Sequence, residues 1–93
     1  MESANRAIEP LDATAVVTVR YWAGARAAAG VDVETVEAAG TVAELVARLG
    51  AARPELRRVL GVASVLVDGR AGAGEDPVPA GALVEVLPPF AGG

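Results

Sequence analysis

Hydrophobic and polar positions alternate along the first regular segment of the chain, residues 15–22 (AVVTVRYW). Val17, Val19 and Tyr21 share one side of an extended chain, and Trp22 lies on the other side. Alternation of β-branched and aromatic residues is typical of a strand. This segment is therefore predicted to be a strand with both faces at least partly covered.

A second alternating segment, residues 31–37 (VDVETVE), predicts another strand, close to the first and antiparallel to it. Its acidic residues, Asp32, Glu34 and Glu37, are expected on its solvent face. Between the two strands, the alanine-rich residues 24–30 favour a short helical turn.

The clearest helix begins after Thr41, which forms a capping-box pattern with Glu44 three residues later. Apolar residues then recur at helical spacing and form one stripe: Val42, Leu45, Val46 and Leu49. Pro54 prevents the helix from continuing. The apolar residues within 55–60 predict a second, short helical turn.

Two more strands are predicted in the C-terminal half of the chain. Residues 62–70 (VASVLVDGR) predict a strand that runs into an Asp68-Gly69 turn, and residues 82–87 (ALVEVL) predict the last strand. Residues 71–81 between them predict a loop. The order of elements predicts an α+β fold, in which one main helix packs across a mixed sheet of four to five strands.

The helix is too short to cover both faces of the sheet, because about three helical turns shield only one side of a four-stranded sheet. The other face carries Val16, Trp22, Leu83 and Leu87. It is either an interaction surface or is covered by loops and residues 55–60. The sequence leaves both alternatives open.

The chain divides into three predicted parts. Residues 1–13 are expected to be a flexible N-terminal extension, residues 14–87 the folded domain, and residues 88–93 a flexible C-terminal tail. The N-terminus lacks the apolar core of a signal peptide, and no segment approaches the length needed to span a bilayer. We therefore expect a cytoplasmic protein.

The charge and the missing residue types exclude several functions. The net charge of −4 argues against nucleic-acid binding and suits a basic protein partner. The chain has no cysteine, histidine or lysine, so it lacks the readily activated nucleophiles and the side chain that titrates near neutral pH. We expect no catalytic activity of the chain alone, and no bound metal or cofactor.

Three other motifs are assigned structural roles. The glycine-rich residues 69–75 (GRAGAGE) lack the spacing and the lysine of phosphate-binding loops and predict a hairpin loop. The adjacent carboxylates of Glu75 and Asp76 are expected to be solvated loop charges. The arginines within residues 53–58 (RPELRR) could meet a partner, but complementing a helix dipole is the favoured interpretation.

The C-terminal stretch LVEVLPPFAGG carries the candidate chemistry. Pro88 and Pro89 predict a semi-rigid, extended spacer after the last strand. Gly92 and Gly93 are slim enough to enter a narrow channel in another protein. The carboxylate of Gly93 is unreactive unless it is activated, for example as an acyl adenylate made from ATP. That chemistry requires no nucleophile or base in this chain.

Three stretches, VTVRYWAGARAAAG, VLVDGR and PVPAGALVEVLPPFAGG, resemble known proteins over about residues 15–93. They are similar to the β-grasp, ubiquitin-like sulfur carriers of the MoaD and ThiS families, and most of all to MoaD, the small subunit of molybdopterin synthase. The resemblance implies that an E1-like enzyme uses ATP to adenylate the Gly93 carboxylate. A sulfur donor protein then converts it to a thiocarboxylate, which supplies sulfur for molybdopterin in the large synthase subunit.

The same resemblance assigns the tail residues their roles. Gly93 is the chemical residue and Gly92 a slim linker, and the docking arm consists of Pro88, Pro89, Phe90 and Ala91. Phe90 either anchors in a groove of the partner or packs back on the sheet. Two alternatives remain open: a sulfur carrier for thiamine or cysteine synthesis or for protein modification, and a β-grasp interaction module whose tail has no chemical role.

Overall fold

The computed structural model describes residues 15–89. The predicted extension and most of the predicted tail lie outside this range, so the three-part division stays a prediction. The elements follow in this order: β1 (Val16–Tyr21), α1 (Ala23–Ala29), β2 (Val33–Glu37), β3 (Gly40–Thr41), α2 (Val42–Ala52), α3 (Leu56–Leu60), β4 (Ser64–Val67), β5 (Arg70–Gly72), β6 (Pro77–Val78) and β7 (Leu83–Leu87).

Five strands form one mixed sheet in the order β2-β1-β7-β4-β5. β1 and β7 run parallel to each other, and the other neighbouring strands in this sheet are antiparallel. The short strands β3 and β6 pair separately. This arrangement confirms the predicted α+β fold of the β-grasp type, with α2 as the main helix and with α1 and α3 as shorter companions.

The core lies between the sheet and the helices and uses every second residue of the central strands. Val17, Val19 and Tyr21 of β1 are at most 2% exposed, as their alternation predicted. Val84 and Val86 of β7 are 0% exposed. Burial of one such valine contributes about 1.5 to 3 kcal/mol. The two central strands therefore supply much of the stability of the domain.

The predicted capping box starts α2. The Glu44 amide donates to Oγ1 of Thr41, and the Thr41 amide donates to Oε1 of Glu44, both at 3.1 Å. Gly40 has a φ of +91°, and a β-carbon built on it would lie 2.6 Å from Oε1 of Glu44. Glycine at this position therefore leaves room for the capping side chain. The apolar stripe then faces the core with three buried residues, Val42, Leu45 and Leu49, and the half-buried Val46.

The second strand presents a different face to the helices from the one predicted. Glu34 is the cross-strand neighbour of the buried Val19, so its side chain lies on the helix side of the sheet. Val33 is 44% exposed on the opposite face. The prediction that Asp32, Glu34 and Glu37 share a solvent face is therefore wrong for Glu34. The physical reason is that Glu34 has hydrogen-bond partners on the helix side.

Those partners are Arg53 and Tyr21. Nε and Nη2 of Arg53 donate to the two carboxylate oxygens of Glu34, at 3.0 and 2.8 Å, and the Tyr21 hydroxyl donates to Oε2. Nη1 of Arg53 also donates to the Ala29 carbonyl at 2.6 Å. Because Arg53 is the C-terminal cap of α2, this cluster joins the ends of α1 and α2 to β1 and β2.

The cluster shifts the pKa of each of its three titratable groups. The hydrogen bonds from Arg53 lower the pKa of Glu34, although burial acts in the opposite direction. Burial, together with the hydrogen bond to Glu34, raises the pKa of Tyr21. The hydrogen bonds to Glu34 raise the pKa of Arg53. The favoured state is thus an ionised Glu34–Arg53 pair beside a neutral tyrosine.

The arginines within residues 53–58 therefore have two different roles. Arg57 and Arg58 lie in the last turn of α3, where cations complement the helix dipole, as predicted. Arg53 instead binds Glu34, a contact between residues far apart in the chain.

Residues 62–81 contain more strand than predicted. β4 begins at Ser64, and Arg70 belongs to β5 instead of continuing the same strand. The turn between them was predicted: Asp68 and Gly69 have φ values of +50° and +86°, as a two-residue hairpin turn requires. Residues 71–81, predicted as loop, include the end of β5 and all of β6. Strands this short contain too few residues to show a period.

The glycine-rich residues 69–75 serve the hairpin and the start of α2. The carbonyl oxygens of Gly74 and Asp76 accept hydrogen bonds from the amides of Ala43 and Val42, each at 2.9 Å. These bonds satisfy N–H groups in the first turn of α2, which the helix itself leaves without partners. This segment thus turns its carbonyls toward the helix, which agrees with a structural loop.

The position of the short helix α3 shows that it does not cover the other face of the sheet. Leu56 of α3 is 0% exposed and belongs to the core, so residues 55–60 pack on the same side as α2. The opposite face keeps Trp22, Val33 and Leu83 at 41%, 44% and 38% exposure. Of the two alternatives for this face, the structure favours an exposed surface.

We expect Arg53→Ala to lower the free energy of unfolding by about 1 to 3 kcal/mol, because it leaves the half-buried Glu34 carboxylate without its charged donors. Urea unfolding measures this loss. Arg26→Ala is the matched control, because the Arg26–Asp32 pair has side-chain exposures of 60% and 63%. Its loss should stay at about 1 kcal/mol or less. Equal losses in the two variants would contradict a special role for the cluster.

The Glu34–Arg53 pair should make the free energy of unfolding depend on pH. The pKa of Glu34 in the folded state lies below the ordinary value of 4.5. The ionised carboxylate therefore contributes fully to the free energy of unfolding above pH 4.5, and this contribution is lost as the pH falls through the folded-state pKa. The stability difference between wild type and Glu34→Gln should therefore shrink from about pH 7 to about pH 3. Urea unfolding at several pH values measures it. A difference that does not change over this range would contradict the assignment.

Candidate functional site

The predicted site begins at the end of β7. The structure places Pro88, which is half-buried, and Pro89, which is exposed, directly after the last residue of this strand. The other predicted tail residues, Phe90, Ala91, Gly92 and Gly93, lie outside the described residues. Their roles, including the two alternatives for Phe90, stay predictions.

The base of the tail is firmly held. β7 pairs with β1 on one side and with β4 on the other, and Leu87, its last residue, pairs with Ser64. The Trp22 amide donates to the Val86 carbonyl at 3.1 Å. A β-carbon built on Gly24 would lie 4.0 Å from Cγ of Pro88, which is ordinary van der Waals contact. The tail therefore leaves the domain from a fixed point between the central strands and the start of α1.

An exposed sheet surface lies next to this point. We call it the open face: the side of the sheet opposite the helices. The strand registers place the following residues on it: Val16, Thr18, Arg20, Val33, Thr35, Glu37, Ser64, Leu66, Ala71, Leu83, Glu85 and Leu87. Trp22, which follows β1, lies on the same face because its indole reaches Glu85. The face is a mixture of apolar and polar residues, and three of its large apolar side chains, Trp22, Val33 and Leu83, are exposed, so it is suited to binding another protein.

Three side chains form a cluster on the open face near the end of β7, which we call the Trp22 cluster: Arg20, Trp22 and Glu85. The parallel register places Arg20 directly beside Glu85 on the neighbouring strand. The Trp22 indole N–H donates to Oε2 of Glu85 at 3.2 Å, and Cζ of Arg20 lies 5.4 Å from the centre of the indole ring. At that distance the guanidinium is attracted to the ring face. The indole is thus held from two sides while it remains exposed.

Sequence reasoning found only part of this cluster. It placed Trp22 on the face away from the core, but it did not bring Arg20 and Glu85 to it. Alternation within β1 and β7 does indicate that Arg20 and Glu85 lie on the face away from the core. The partner of a residue across strands depends on the register, which alternation alone does not define.

No group of three or more potential metal-ligating side chains lies close together within residues 15–89. In the same range, no helix is long and apolar enough to cross a membrane.

Comparison with known proteins connects the domain and its tail to one family. The sequence profile of the ThiS family matches residues 19–93. A search of curated proteins finds no match. A putative molybdopterin converting factor, subunit 1, from Pyrococcus furiosus has a similar structure, with a TM-score of 0.73 and 25% identity over 81% of this chain and 98% of that chain.

Two further solved structures share the fold. Small archaeal modifier protein 1 from Haloferax volcanii has a TM-score of 0.71 and 25% identity, covering 82% of this chain and 99% of that chain. In a complex of subunits 1 and 2 of molybdopterin-converting factor from Helicobacter pylori, the matching chain has a TM-score of 0.65 and 24% identity. That match covers 84% of this chain and 99% of the other. At this identity the likeness is one of fold.

Since Trp22 is 41% exposed, we expect Trp22→Ala to leave the domain folded and to lower the free energy of unfolding by only about 1 kcal/mol. Leu45→Ala is the control from the core and should lose about 2 to 5 kcal/mol. Urea unfolding compares the two variants. A loss at Trp22 as large as that at Leu45 would mean that the indole is part of the stabilising core.

Proposed function

Since the chain belongs to the ThiS family, we propose that it is a sulfur carrier whose Gly93 carboxylate becomes a thiocarboxylate and donates sulfur for molybdopterin biosynthesis. The observation that carries this proposal is the extent of the family match. It runs from residue 19, in the first strand, to residue 93, and therefore includes the Gly-Gly tail.

The chemistry uses the chain as a substrate. An oxygen of the Gly93 carboxylate attacks the α-phosphorus of ATP, and pyrophosphate leaves. A donor protein then delivers sulfur as hydrosulfide, which attacks the acyl carbon and displaces AMP, so that a C–S bond replaces a C–O bond and loss of the S–H proton leaves the thiocarboxylate. Partner proteins supply every catalytic group, which agrees with a chain that has no histidine, cysteine or lysine. ATP binds to the partner enzyme in this proposal, and the chain itself holds no cofactor.

The rigid base of the tail supports the roles that we propose for its residues. Pro88 lies near Gly24, and the docking arm, Pro88 to Ala91, continues from there. Phe90 anchors the arm in a groove of the partner. Gly92 and Gly93 then enter its narrow active site, because they have no side chains to obstruct it.

Three partners follow from the proposal: an E1-like adenylating enzyme, a sulfur donor protein and the large subunit of molybdopterin synthase. The Pyrococcus furiosus neighbour, a putative molybdopterin converting factor subunit 1, supports the choice of pathway. The Helicobacter pylori neighbour occurs in a complex of subunits 1 and 2. We propose a corresponding large subunit for this chain, and a cytoplasmic location for the complex.

A second candidate function is protein modification, in which the activated Gly93 carbonyl is transferred to an amine of another protein. The observation that favours it is the likeness to small archaeal modifier protein 1. The tail is equally suited to sulfur transfer for thiamine or cysteine synthesis. An interaction module with an inert tail is the alternative outside this chemistry. The fate of the Gly93 carbonyl distinguishes sulfur transfer from protein modification and from an inert tail, and the acceptor of the sulfur distinguishes the sulfur-transfer pathways.

Intact mass spectrometry is the first test. The chain is purified from its own host, or is incubated with ATP, the adenylating enzyme and a sulfur donor. We expect a mass gain equal to the replacement of one oxygen by sulfur, because the thiocarboxylate is the stable product. Deletion of Gly93, or the addition of one residue after it, should abolish the gain.

The control is a second carrier on which the same enzymes are shown to be active. An unchanged mass of this chain under those conditions would contradict the carrier proposal. The pathway is then tested by mixing the thiocarboxylated chain with the large synthase subunit and the pterin precursor. Formation of the dithiolene supports the molybdopterin assignment. Attachment of Gly93 to lysines of host proteins would instead support protein modification.

A further inference from the structure

We propose that the groove between α2 and α3 is the docking site for the sulfur donor protein, which places the apolar face of an amphipathic helix in the groove and a carboxylate against Arg57. The inference rests on the proposed function, in which the donor acts on the adenylated Gly93. Delivery of sulfur is common to all of the sulfur-carrier alternatives. The inference therefore holds whichever of those pathways the chain serves.

The groove lies on the helix side of the domain and has a volume of about 340 Å³. These residues line it: Val46, Ala47, Gly50, Ala51, Arg57, Leu60 and Gly61. The lining is apolar apart from Arg57. Val62, which directly follows the lining residue Gly61, is 65% exposed, more than any other large apolar residue within residues 15–89. An apolar groove beside so exposed a valine is typical of a surface that another protein covers.

Gly50 sets the shape of the groove, because it lets the two helices approach each other closely. A β-carbon built on Gly50 would lie 3.2 Å from Cγ of Arg57 and 3.8 Å from Cδ1 of Leu60. The stem of Arg57 therefore lies across Gly50, although the residue as a whole is exposed. Contact along the stem holds this side chain at the groove, so binding a partner loses less side-chain entropy.

The side of α2 that lines the groove leaves room for another helix. Ala47 and Ala51 are exposed and lie one helical turn apart, with Gly50 between them in sequence. Small residues let the backbone of a neighbouring helix come close, and the half-buried Val46 and Leu60 provide apolar contact. Amphipathic helices bind such grooves through apolar residues spaced three or four positions apart. A helix is therefore the occupant that this groove fits.

Charge identifies what that helix must carry. Arg57 is the only charged residue among those that line the groove, and within residues 15–89 no carboxylate forms an ion pair with it. A helix that fills the groove removes water from the guanidinium, which then needs a charged, hydrogen-bonded partner. Because the chain has a net charge of −4, a broadly acidic partner would be repelled. The matching surface is apolar, with one acidic residue placed to meet Arg57.

The order of the chemical steps points to the sulfur donor as the partner. The acyl adenylate exists only while the adenylating enzyme encloses the tail. Four residues follow Pro89, and an extended chain covers at most about 3.6 Å per residue, so the carboxylate lies within about 14 Å of Pro89. The enclosing enzyme therefore occupies the surface around the end of β7. A donor that recognises the carrier during this step must bind elsewhere, and the groove is on the helix side.

The groove is also close enough to the tail for delivery. Helix α3 packs against α1, and α1 begins beside the base of the tail, where a β-carbon on Gly24 would lie 4.0 Å from Cγ of Pro88. Packed helices have axes about 8 to 10 Å apart, so the groove is on the order of 20 Å from Pro88. A small protein domain about 30 Å across spans that distance. Docking there raises the effective concentration of the hydrosulfide source near the adenylate.

The test measures the initial rate of thiocarboxylate formation by intact mass spectrometry, with ATP and with the adenylating enzyme and sulfur donor protein of the same host. The donor is the varied component. Arg57→Glu should raise the donor concentration for half-maximal rate by about tenfold or more, because close charge pairs at interfaces are strongly coupled. The rate at saturating donor should stay within about twofold, because Arg57 does not touch the reacting atoms.

Sodium sulfide in place of the donor protein is the first control. It supplies hydrosulfide without docking, so wild type and Arg57→Glu should then react at rates within about twofold of each other. Pyrophosphate release by the adenylating enzyme should likewise be unchanged.

Arg58→Glu is the matched control variant. It makes the same change of charge at the next residue of α3, which is exposed but does not line the groove. Its donor requirement should stay within about twofold of wild type. Circular dichroism verifies that both variants are folded. If Arg57→Glu is not, Arg57→Gln replaces it, with an expected rise of about threefold or more.

Three results would overturn the inference. One is a donor requirement for Arg57→Glu equal to that for Arg58→Glu. Another is an equal loss of rate with sulfide, which would mean that the adenylating enzyme contacts Arg57. The third is a dimer of the chain in sedimentation experiments that Arg57→Glu dissociates, which would assign the groove to a second copy. If the wild-type chain gains sulfur from neither the donor nor sulfide, the proposed function fails as well.

Discussion

The parallel pairing of β1 with β7 is the interaction on which the rest of the structure depends. These strands lie next to each other inside the sheet, and together they supply most of the fully buried valines. β2 and β4 pair directly with one or the other of them. The pairing also sets the position of the proposed site. It fixes the end of β7, from which the tail leaves, and brings Arg20 of the first strand and Trp22, which follows that strand, close to that end.

The two faces of the sheet serve different purposes. One face is filled by the helices and carries the stability of the domain, including the Glu34–Arg53 pair that joins α2 to β2. The other face stays exposed, although many of its residues are apolar. In the function that we propose, the chemical group is in the tail and the catalytic groups belong to partners. The folded domain then acts as the part that partners recognise, and the open face is where they can do so without disturbing the core.

The sequence predicted those features that depend on local patterns, and it failed where contacts are long-range. Alternation in β1 and the capping box at Thr41 are local, and both were correct. Glu34 was placed on the wrong face because its partner Arg53 is 19 residues away, and nothing in the strand shows that a carboxylate there is paired. β6 has only two residues and no readable period. The tail was recognised as a motif, whereas Arg20 and Glu85 became neighbours only through the register of the sheet.

The position of β7 in the sheet also governs when the domain can fold. Synthesis from the N-terminus produces β1 first and β7 last among the strands, yet β7 lies between β1 and β4. Until β7 emerges from the ribosome, the two parts of the sheet have no strand to join them. Pairing between strands so distant in sequence is also slow, because a long loop must close first. A chain interrupted before β7 therefore lacks both the tail and a complete core, so premature termination does not yield a folded domain that lacks the Gly-Gly tail.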